Sequence, residues 1–346
     1  MTALICPRCG GSPKETSAQA ISVKCEYCGT VVRLDQRPPV RRPTITGTTR
    51  PWTTRVALPA VVMTVAVAVT AYSLNKWKAS PSGANGVLSA VHQFGDEGVG
   101  AGEFTEVRGF SAGHGLIFTQ ERKGRVQAFD LEGQQVGSWI LPGEFSHYGF
   151  AAGGDGSVYK VYGPQLRRFE GRTGAPLQQF DAKELGLTYW RFLAPGPAGT
   201  IFAADDANAI QLDPGQGRVL MQSSYLRPFK FSGGLTNFAA NALGEVYLSD
   251  MAEHDIVRIS PDGQLRSRFV TTKRKGLTPL ATAIATLPAS GRLGIATALG
   301  LELYDPDGRF LDMLLGSPLD YLAAPDEHHL AAWVSYGSRV KIYQIK

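Results

Sequence analysis

The chain has 346 residues, including 40 glycines and 21 prolines, and a formal net charge of +5. So many turn-forming residues favour a domain of many short strands. Residues 1–55 hold nine Lys or Arg and three Asp or Glu, so the basic character belongs to this N-terminal segment and the remainder is close to neutral. All four cysteines lie within the first 28 residues, which excludes disulfide and thiol chemistry from the rest of the chain.

The first motif along the chain is a pair of C-x2-C sequences formed by Cys6, Cys9, Cys25 and Cys28. Four thiolates at this spacing can surround one Zn²⁺ ion tetrahedrally. With the strand-like alternation between and after the two pairs, residues 1–35 resemble a zinc ribbon. The alternatives are two disulfides or a redox C-x-x-C motif, but no βαβ pattern surrounds these cysteines. A metal held by four cysteines keeps no open position, so we expect a structural zinc that replaces a hydrophobic core.

Zinc ribbons contact either nucleic acid or protein. Here most of the positive charge lies in residues 36–55, a basic tether that contains several prolines and shows no apolar periodicity. The tether directly precedes an apolar segment that is predicted below to cross a membrane. In that position its positive charge fixes the orientation of the span and attracts anionic lipid. We therefore expect a cytoplasmic protein partner at the ribbon and consider nucleic acid an unlikely one.

Residues 56–75 (VALPAVVMTVAVAVTAYSLN) contain no charged side chain and are bracketed by Arg55 and Lys76. Twenty helical residues rise about 30 Å, which matches the hydrocarbon thickness of a bilayer. A buried core helix rarely runs so long without a polar face, and a cleaved signal peptide begins nearer the N-terminus. The sequence therefore predicts a single transmembrane helix, followed by a spacer at residues 76–87.

The charges and the cysteines predict the same orientation for this helix. Six arginines lie between Arg33 and Arg55, whereas Lys76 and Lys78 alone closely follow the span. An excess of Lys and Arg marks the cytoplasmic flank, and a reducing cytosol keeps the N-terminal thiols free for metal. We expect the N-terminus inside the cytoplasmic membrane and residues 88–346 in the periplasm or outside the cell.

Residues 88–346 contain a repeat of about 40 residues, a period typical of propeller blades. Each unit has a strand of small residues, a glycine turn, a second apolar strand, a D/P/G turn, and third and fourth strands. The second-strand segments begin at Gly115, Gly156, Gly199, Gly244, Gly291 and His329. The sixth unit has no fourth strand, and the sequence LSAVHQFG at residues 88–95 supplies one ahead of the first unit. The pattern predicts an all-β fold, a six-bladed β-propeller closed by its N-terminal strand.

Two segments resemble the NHL-repeat family of propellers. Residues 94–104 (FGDEGVGAGEF) are similar to the opening of that repeat, and residues 125–133 (RVQAFDLEG) to its later strand and turn. Residues 246–263 carry the same pattern in the fourth unit, and the other units depart from it. WD-repeat proteins match less well, because no Gly-His and Trp-Asp pairs recur.

No catalytic site stands out in the propeller. The innermost strands offer mainly small and aromatic residues, namely Phe110, Tyr148, Phe150, Trp190, Phe192, Phe238 and Tyr321. Asp205, Asp206 and Asp250 are interpreted as turn-holding residues rather than calcium ligands. The histidines lack metal spacing, and they are His92, His114, His147, His254, His328 and His329.

Our leading hypothesis is therefore a non-enzymatic, membrane-anchored binding protein or scaffold, with a protein partner at the propeller face. The alternatives are an exported, lactonase-like propeller hydrolase or lyase, and a transmembrane sensor. Asp, Asn and Glu converging on one channel mouth would favour an enzyme, whereas aromatic residues and mixed charges on one face would favour a binding protein.

Overall fold

The computed structural model describes residues 22–24, 31–33, 85–142, 149–224, 235–250, 255–271 and 280–346. The chain divides into two compact units, residues 1–74 and 75–346. In the first unit, strands Ser22–Lys24 and Val31–Arg33 pair antiparallel, with Val23 opposite Val32. These strands flank the second C-x2-C sequence in the chain. The four cysteines, the basic tether and the apolar segment 56–75 lie outside the described residues.

The second unit contains six antiparallel sheets of four strands, which confirms the predicted six-bladed β-propeller. We number the blades in chain order and call the first strand of each its inner strand. Blade 1 comprises Val107–Gly113, Leu116–Glu121, Arg125–Phe129 and Gln135–Ile140. Blade 2 comprises Phe150–Ala152, Ser157–Tyr162, Gln165–Glu170 and Pro176–Asp181. Blade 3 comprises Phe192–Pro195, Ile201–Ala204, Ala209–Asp213 and Arg218–Ser223. Blade 4 comprises Leu235–Ala240, Val246–Asp250, Asp255–Ile259 and Leu265–Val270. Blade 5 comprises Ala281–Thr286, Leu293–Thr297, Gly300–Tyr304 and Phe310–Leu315. Blade 6 comprises Tyr321–Ala323, His329–Val334, Arg339–Ile345 and Leu88–Phe94.

Short elements connect the blades. Asp96–Glu97 and Glu103–Phe104 form a parallel pair between blades 6 and 1. Lys183–Leu185, between blades 2 and 3, and Pro197–Gly199, between the first two strands of blade 3, are single turns of 3-10 helix. We call the end of the ring where the inner strands begin the upper face and the end where they finish the lower face.

The hydrophobic core is divided into six clusters, one between each pair of neighbouring blades. Between blades 1 and 2, for example, Phe118 and Trp139 pack with Val158 and Phe169. Side chains alternate across each strand, so every blade contributes one face to each of two clusters. Each blade is therefore buried only by its two neighbours, and the ring must close for the first and last blades to be covered.

The predicted closure is confirmed, because Leu88–Phe94 pairs antiparallel with Arg339–Ile345 as the fourth strand of blade 6. The register shifts at Val91, which is left out of the pairing and is 48% exposed. This one-residue bulge reverses the alternation of side chains along the strand. Leu88 packs in the cluster shared with blade 5, whereas Phe94 packs in the cluster shared with blade 1. The closing strand thus contributes side chains to the clusters on both sides of blade 6. The alternation of residues in the sequence did not by itself indicate this.

Asp312 in blade 5 holds the start of the closing strand. One carboxylate oxygen accepts the backbone N–H of Asn85 at 2.8 Å, and the other accepts those of Val87 and Leu88 at 2.9 and 2.8 Å. The N–H of Met313 adds a fourth bond at 2.8 Å. The last residues of the predicted spacer are therefore bonded to the propeller. Burial alone would raise the pKa of Asp312, but these backbone hydrogen bonds outweigh it and lower the pKa.

Replacing Asp312 with alanine should reduce the free energy of unfolding by about 3 kcal/mol, since each buried donor left unsatisfied costs roughly 1–3 kcal/mol. Asp305→Ala is the matched control, because Asp305 also accepts two backbone N–H groups, but within its own turn. It should cost about 1 kcal/mol or less. Urea unfolding followed by tryptophan fluorescence measures both. Equal losses in the two variants would refute a special role for Asp312 in closure.

The contribution of Asp312 to the stability of the propeller should depend on pH. Because the folded-state pKa of Asp312 is lowered, its stabilisation is present above the ordinary aspartate pKa of about 3.9 and declines as pH falls below it. The stability difference between the wild type and Asp312→Ala should therefore shrink as pH falls below about 4.

Candidate functional site

A cavity of about 360 Å³ occupies the central channel. All six inner strands contribute to its wall, and it extends to the turns that follow them at the lower face. Rings of Phe110, Phe150, Phe238 and Tyr321 line its upper part. At the lower mouth its lining includes His114, Gly154, Pro197, Ala242, Pro288 and Pro325.

The polar side chains of the cavity wall are largely engaged in bonds between inner strands. Ser111 Oγ accepts the N–H of Ala152 at 2.9 Å and so joins blade 1 to blade 2. Asn237 Nδ2 donates to the carbonyl of Ala281 at 3.1 Å, and Thr286 Oγ1 donates to the carbonyl of Ala240. These bonds hold the blades of the ring together and leave mainly carbon on the wall.

Four of the seven aromatic residues predicted on the inner strands line the cavity. Phe192 lies beside them, with its ring stacked on that of Phe238 at a centroid distance of 6.0 Å. Trp190 is instead buried between blades, where its indole N–H donates to the carbonyl of Pro164 at 2.7 Å. Tyr148 lies outside the described residues.

The inner strand of blade 1 contains a G-x-S-x-G sequence, Gly109-Phe110-Ser111-Ala112-Gly113. In serine hydrolases this spacing forms a strained turn between a strand and a helix, which exposes the serine hydroxyl. Here the five residues are part of one strand, and the hydroxyl of Ser111 is bonded to blade 2. The glycines permit close packing, since a Cβ at Gly113 would lie 2.6 Å from the carbonyl oxygen of Gly153. This sequence is explained by the contact between blades.

The predicted turn residues have separate roles. Asp205 accepts the backbone N–H groups of Ala207 and Asn208, both at 2.7 Å, which confirms its role in holding a turn. Asp206 instead pairs with Arg191 across the upper face and accepts the hydroxyl of Tyr189. The side chain of Asp250 is not described.

The described histidines are dispersed. His92 stacks on Phe94, His114 lies at the lower mouth of the cavity, and His329 contacts Asp326 in a lower turn at 2.9 Å. His328 donates only its backbone N–H to Asp326. His147 and His254 are not among the described residues. Within the described part of the chain, no group of three or more His, Cys, Asp or Glu side chains is arranged to hold a metal ion.

The upper face presents charged and aromatic side chains together. Glu106 pairs with both Arg108 and Arg122, and these three side chains are 37% to 67% exposed. Burial alone would raise the pKa of Glu106, but the hydrogen bonds and charges of Arg122 and Arg108 together outweigh it and lower the pKa. Tyr336, in a turn of blade 6, is 93% exposed.

These upper-face clusters were not identified from the sequence. Their members are separated by about 15 residues and meet because the start of an inner strand and the second turn of the same blade share one edge of the ring. Such pairs could be predicted from charged residues that recur at the start of the inner strand and in the turn after the second strand of a blade.

The two segments that resemble the NHL repeat contact each other. Arg125 donates to the carbonyls of Gly100 and Glu103 at 3.1 and 2.8 Å and to the carboxylate of Glu121 at 2.7 Å. Gln127 adds a bond to the carbonyl of Glu103 at 2.9 Å. The glycine-rich segment at residues 94–104 is therefore held by Arg125 and Gln127 of the strand Arg125–Phe129. The residues that resemble the NHL repeat thus have a structural role.

No protein-family model and no curated protein sequence matches this chain. Among solved structures, it is similar to the RRP9 WD40 repeats, with 10% sequence identity, coverage of 77% of this chain and 99% of that one, and a TM-score of 0.50. A structural genomics protein of unknown function from Bacteroides thetaiotaomicron VPI-5482 gives 13% identity, coverage of 75% and 76%, and a TM-score of 0.51. These similarities support the propeller fold, and the resemblance to the NHL family stays a prediction.

Replacing Arg125 with lysine should destabilise the segment at residues 96–104. A lysine carries a point charge and cannot bond several carbonyls through a planar fork. We expect a loss of about 2 kcal/mol in unfolding free energy and faster cleavage by a Glu-specific protease at Glu97 or Glu103. Arg122→Lys is the control, since the side chain of Arg122 is 67% exposed. Its cleavage rate should equal that of the wild type; a similar increase in both variants would contradict the structural role of Arg125.

Proposed function

We propose that this protein is a membrane-anchored, non-enzymatic binding scaffold. Its β-propeller is displayed outside the cytoplasmic membrane, and residues 1–35 form a zinc ribbon in the cytoplasm, with Zn²⁺ bound by Cys6, Cys9, Cys25 and Cys28. The propeller binds a protein partner through its upper face, and the ribbon binds a cytoplasmic protein.

The composition of the upper face is the observation that carries this proposal. Exposed Tyr189 and Tyr336 lie on the same face as the Arg191–Asp206 and Arg108–Glu106–Arg122 clusters. Tyrosine and arginine are enriched in protein interfaces because they combine a large apolar area with polar ends. A rigid ring that holds such side chains on one face favours a binding surface over a single buried reaction centre.

The path of the chain supports display of this face. Asn85 and Leu88 bond to Asp312 near the lower end of the closing strand, and Lys346 bonds to Val87 there. Asn85, the first described residue of the propeller, therefore lies at its lower side, opposite the proposed binding face. Residues 56–75 form the transmembrane helix in this proposal; no helix in the described part of the chain is long and apolar enough to cross a bilayer.

The ribbon part of the proposal depends on the cysteine spacing and on the paired strands Ser22–Lys24 and Val31–Arg33. A two-stranded hairpin of three residues per strand is marginal by itself, and a bound metal supplies the missing stabilisation.

Site-specific photo-cross-linking in intact cells tests the binding face. A photoreactive phenylalanine at Tyr336 or Tyr189 should give discrete adducts with one protein, because both positions are exposed on the upper face. The control position is Leu243, which is 73% exposed in a turn at the lower face. Adducts of equal yield from all three positions, or from Leu243 alone, would overturn the assignment of the upper face.

Protease protection tests the topology. A protease added to spheroplasts should digest residues 88–346 and leave the N-terminal segment intact, because the arginines before residue 56 favour the cytoplasmic side. Immunoblotting with tags at both termini follows the two fragments. Protection of the C-terminal tag in intact spheroplasts, with digestion after lysis, would place the propeller in the cytoplasm.

A further inference from the structure

The central cavity has a neutral wall. Among the described residues that line it there is no Asp, Glu, Lys or Arg. This contrasts with the upper face, where the side chains of Arg108, Glu106, Arg191 and Asp206 are all at least one-third exposed. Burying a charge without a partner costs several kcal/mol, so the wall disfavours an ionic ligand.

The shape of the cavity follows from the sizes of its lining residues. Nine of them are alanines, seven on the inner strands and two in the turns that follow, and these small side chains leave the space open. Phe110, Phe150, Phe238 and Tyr321 narrow the upper part, so the cavity combines an aromatic end with a wall of small apolar side chains. Its volume of about 360 Å³ is close to the lower limit of small-molecule pockets, which is roughly 300 Å³.

Polar contacts for a ligand come mainly from the backbone. Each inner strand is the edge of its sheet, and an edge strand presents N–H and C=O groups that its own sheet leaves unpaired. Side chains such as Ser111, Asn237 and Thr286 are already bonded to neighbouring blades. The wall therefore suits a molecule with apolar rings and a few neutral hydrogen-bonding groups.

We infer that the central channel is a binding site for an uncharged, mainly apolar small molecule, which enters through the lower mouth beside Ala242 and lies with its ring system against Phe110, Phe150 and Phe238. This site is separate from the proposed protein-binding surface on the upper face. Aromatic rings stack favourably on such side chains at centroid distances of about 4.5–7 Å.

Benzophenone is a direct probe, because it is uncharged, has two rings and a carbonyl, and inserts into nearby C–H bonds when irradiated. The full-length protein in membranes is irradiated with increasing concentrations, and labelled peptides are identified by mass spectrometry. We expect saturable labelling confined to the inner strands, particularly residues 237–242 and 283–288. The anionic analogue 4-benzoylbenzoate should label these peptides at least tenfold less.

Two neighbouring residues provide matched variants. Ala242 lines the lower mouth and is exposed, so Ala242→Trp should obstruct entry without disturbing the core and should reduce labelling at least tenfold. Leu243 is the next residue of the same turn, is 73% exposed and does not line the cavity, so Leu243→Trp should leave labelling unchanged. Thermal unfolding confirms that both variants are as stable as the wild type.

Three results would each overturn the inference. They are labelling dispersed over the propeller without saturation, equal labelling by benzophenone and its anionic analogue, and equal labelling of the Ala242→Trp and Leu243→Trp proteins. None of these results bears on cross-linking at Tyr336, so the channel site and the upper binding face are tested independently.

Discussion

The pairing of Leu88–Phe94 with Arg339–Ile345 is the contact on which the rest of the propeller depends. Each hydrophobic cluster lies between two blades, so an open ring would leave two apolar faces and a strand edge exposed to water. The bulge at Val91 allows this one strand to contribute Leu88 to the blade 5 side and Phe94 to the blade 1 side. The carboxylate of Asp312 then fixes where the strand begins, through bonds that favour its charged form.

Much of this architecture could be predicted from the sequence. Glycine turns and apolar strands recur at a regular spacing, and the sixth unit lacks a strand that residues 88–95 supply, so the number of blades followed from counting strands. The bulge at Val91 and the bonds of Asp312 could not be predicted in this way. Both depend on contacts between residues more than 220 positions apart, and neither changes the local pattern of hydrophobicity.

The candidate sites were predicted less completely. The inner-strand aromatics were recognised because those strands consist mainly of small and aromatic residues, and four of the aromatics line the cavity. The charged clusters were missed, since Arg191 and Asp206 come together only when the blade folds. The GFSAG sequence at residues 109–113 has the spacing of a catalytic turn but no such role in the fold. Its glycines instead allow blades 1 and 2 to approach each other.

The position of the Asp312 bonds also determines how the propeller responds to mechanical force. Any pull on the chain ahead of Asn85 first reaches the hydrogen bonds between Asp312 and the amides of Asn85, Val87 and Leu88. A pull along the closing strand, away from the lower face, acts on its cross-strand bonds in shear, so that they resist together rather than breaking one after another. The bonds of Asp312 and the closing strand are thus the first contacts of the ring to bear tension applied through Asn85.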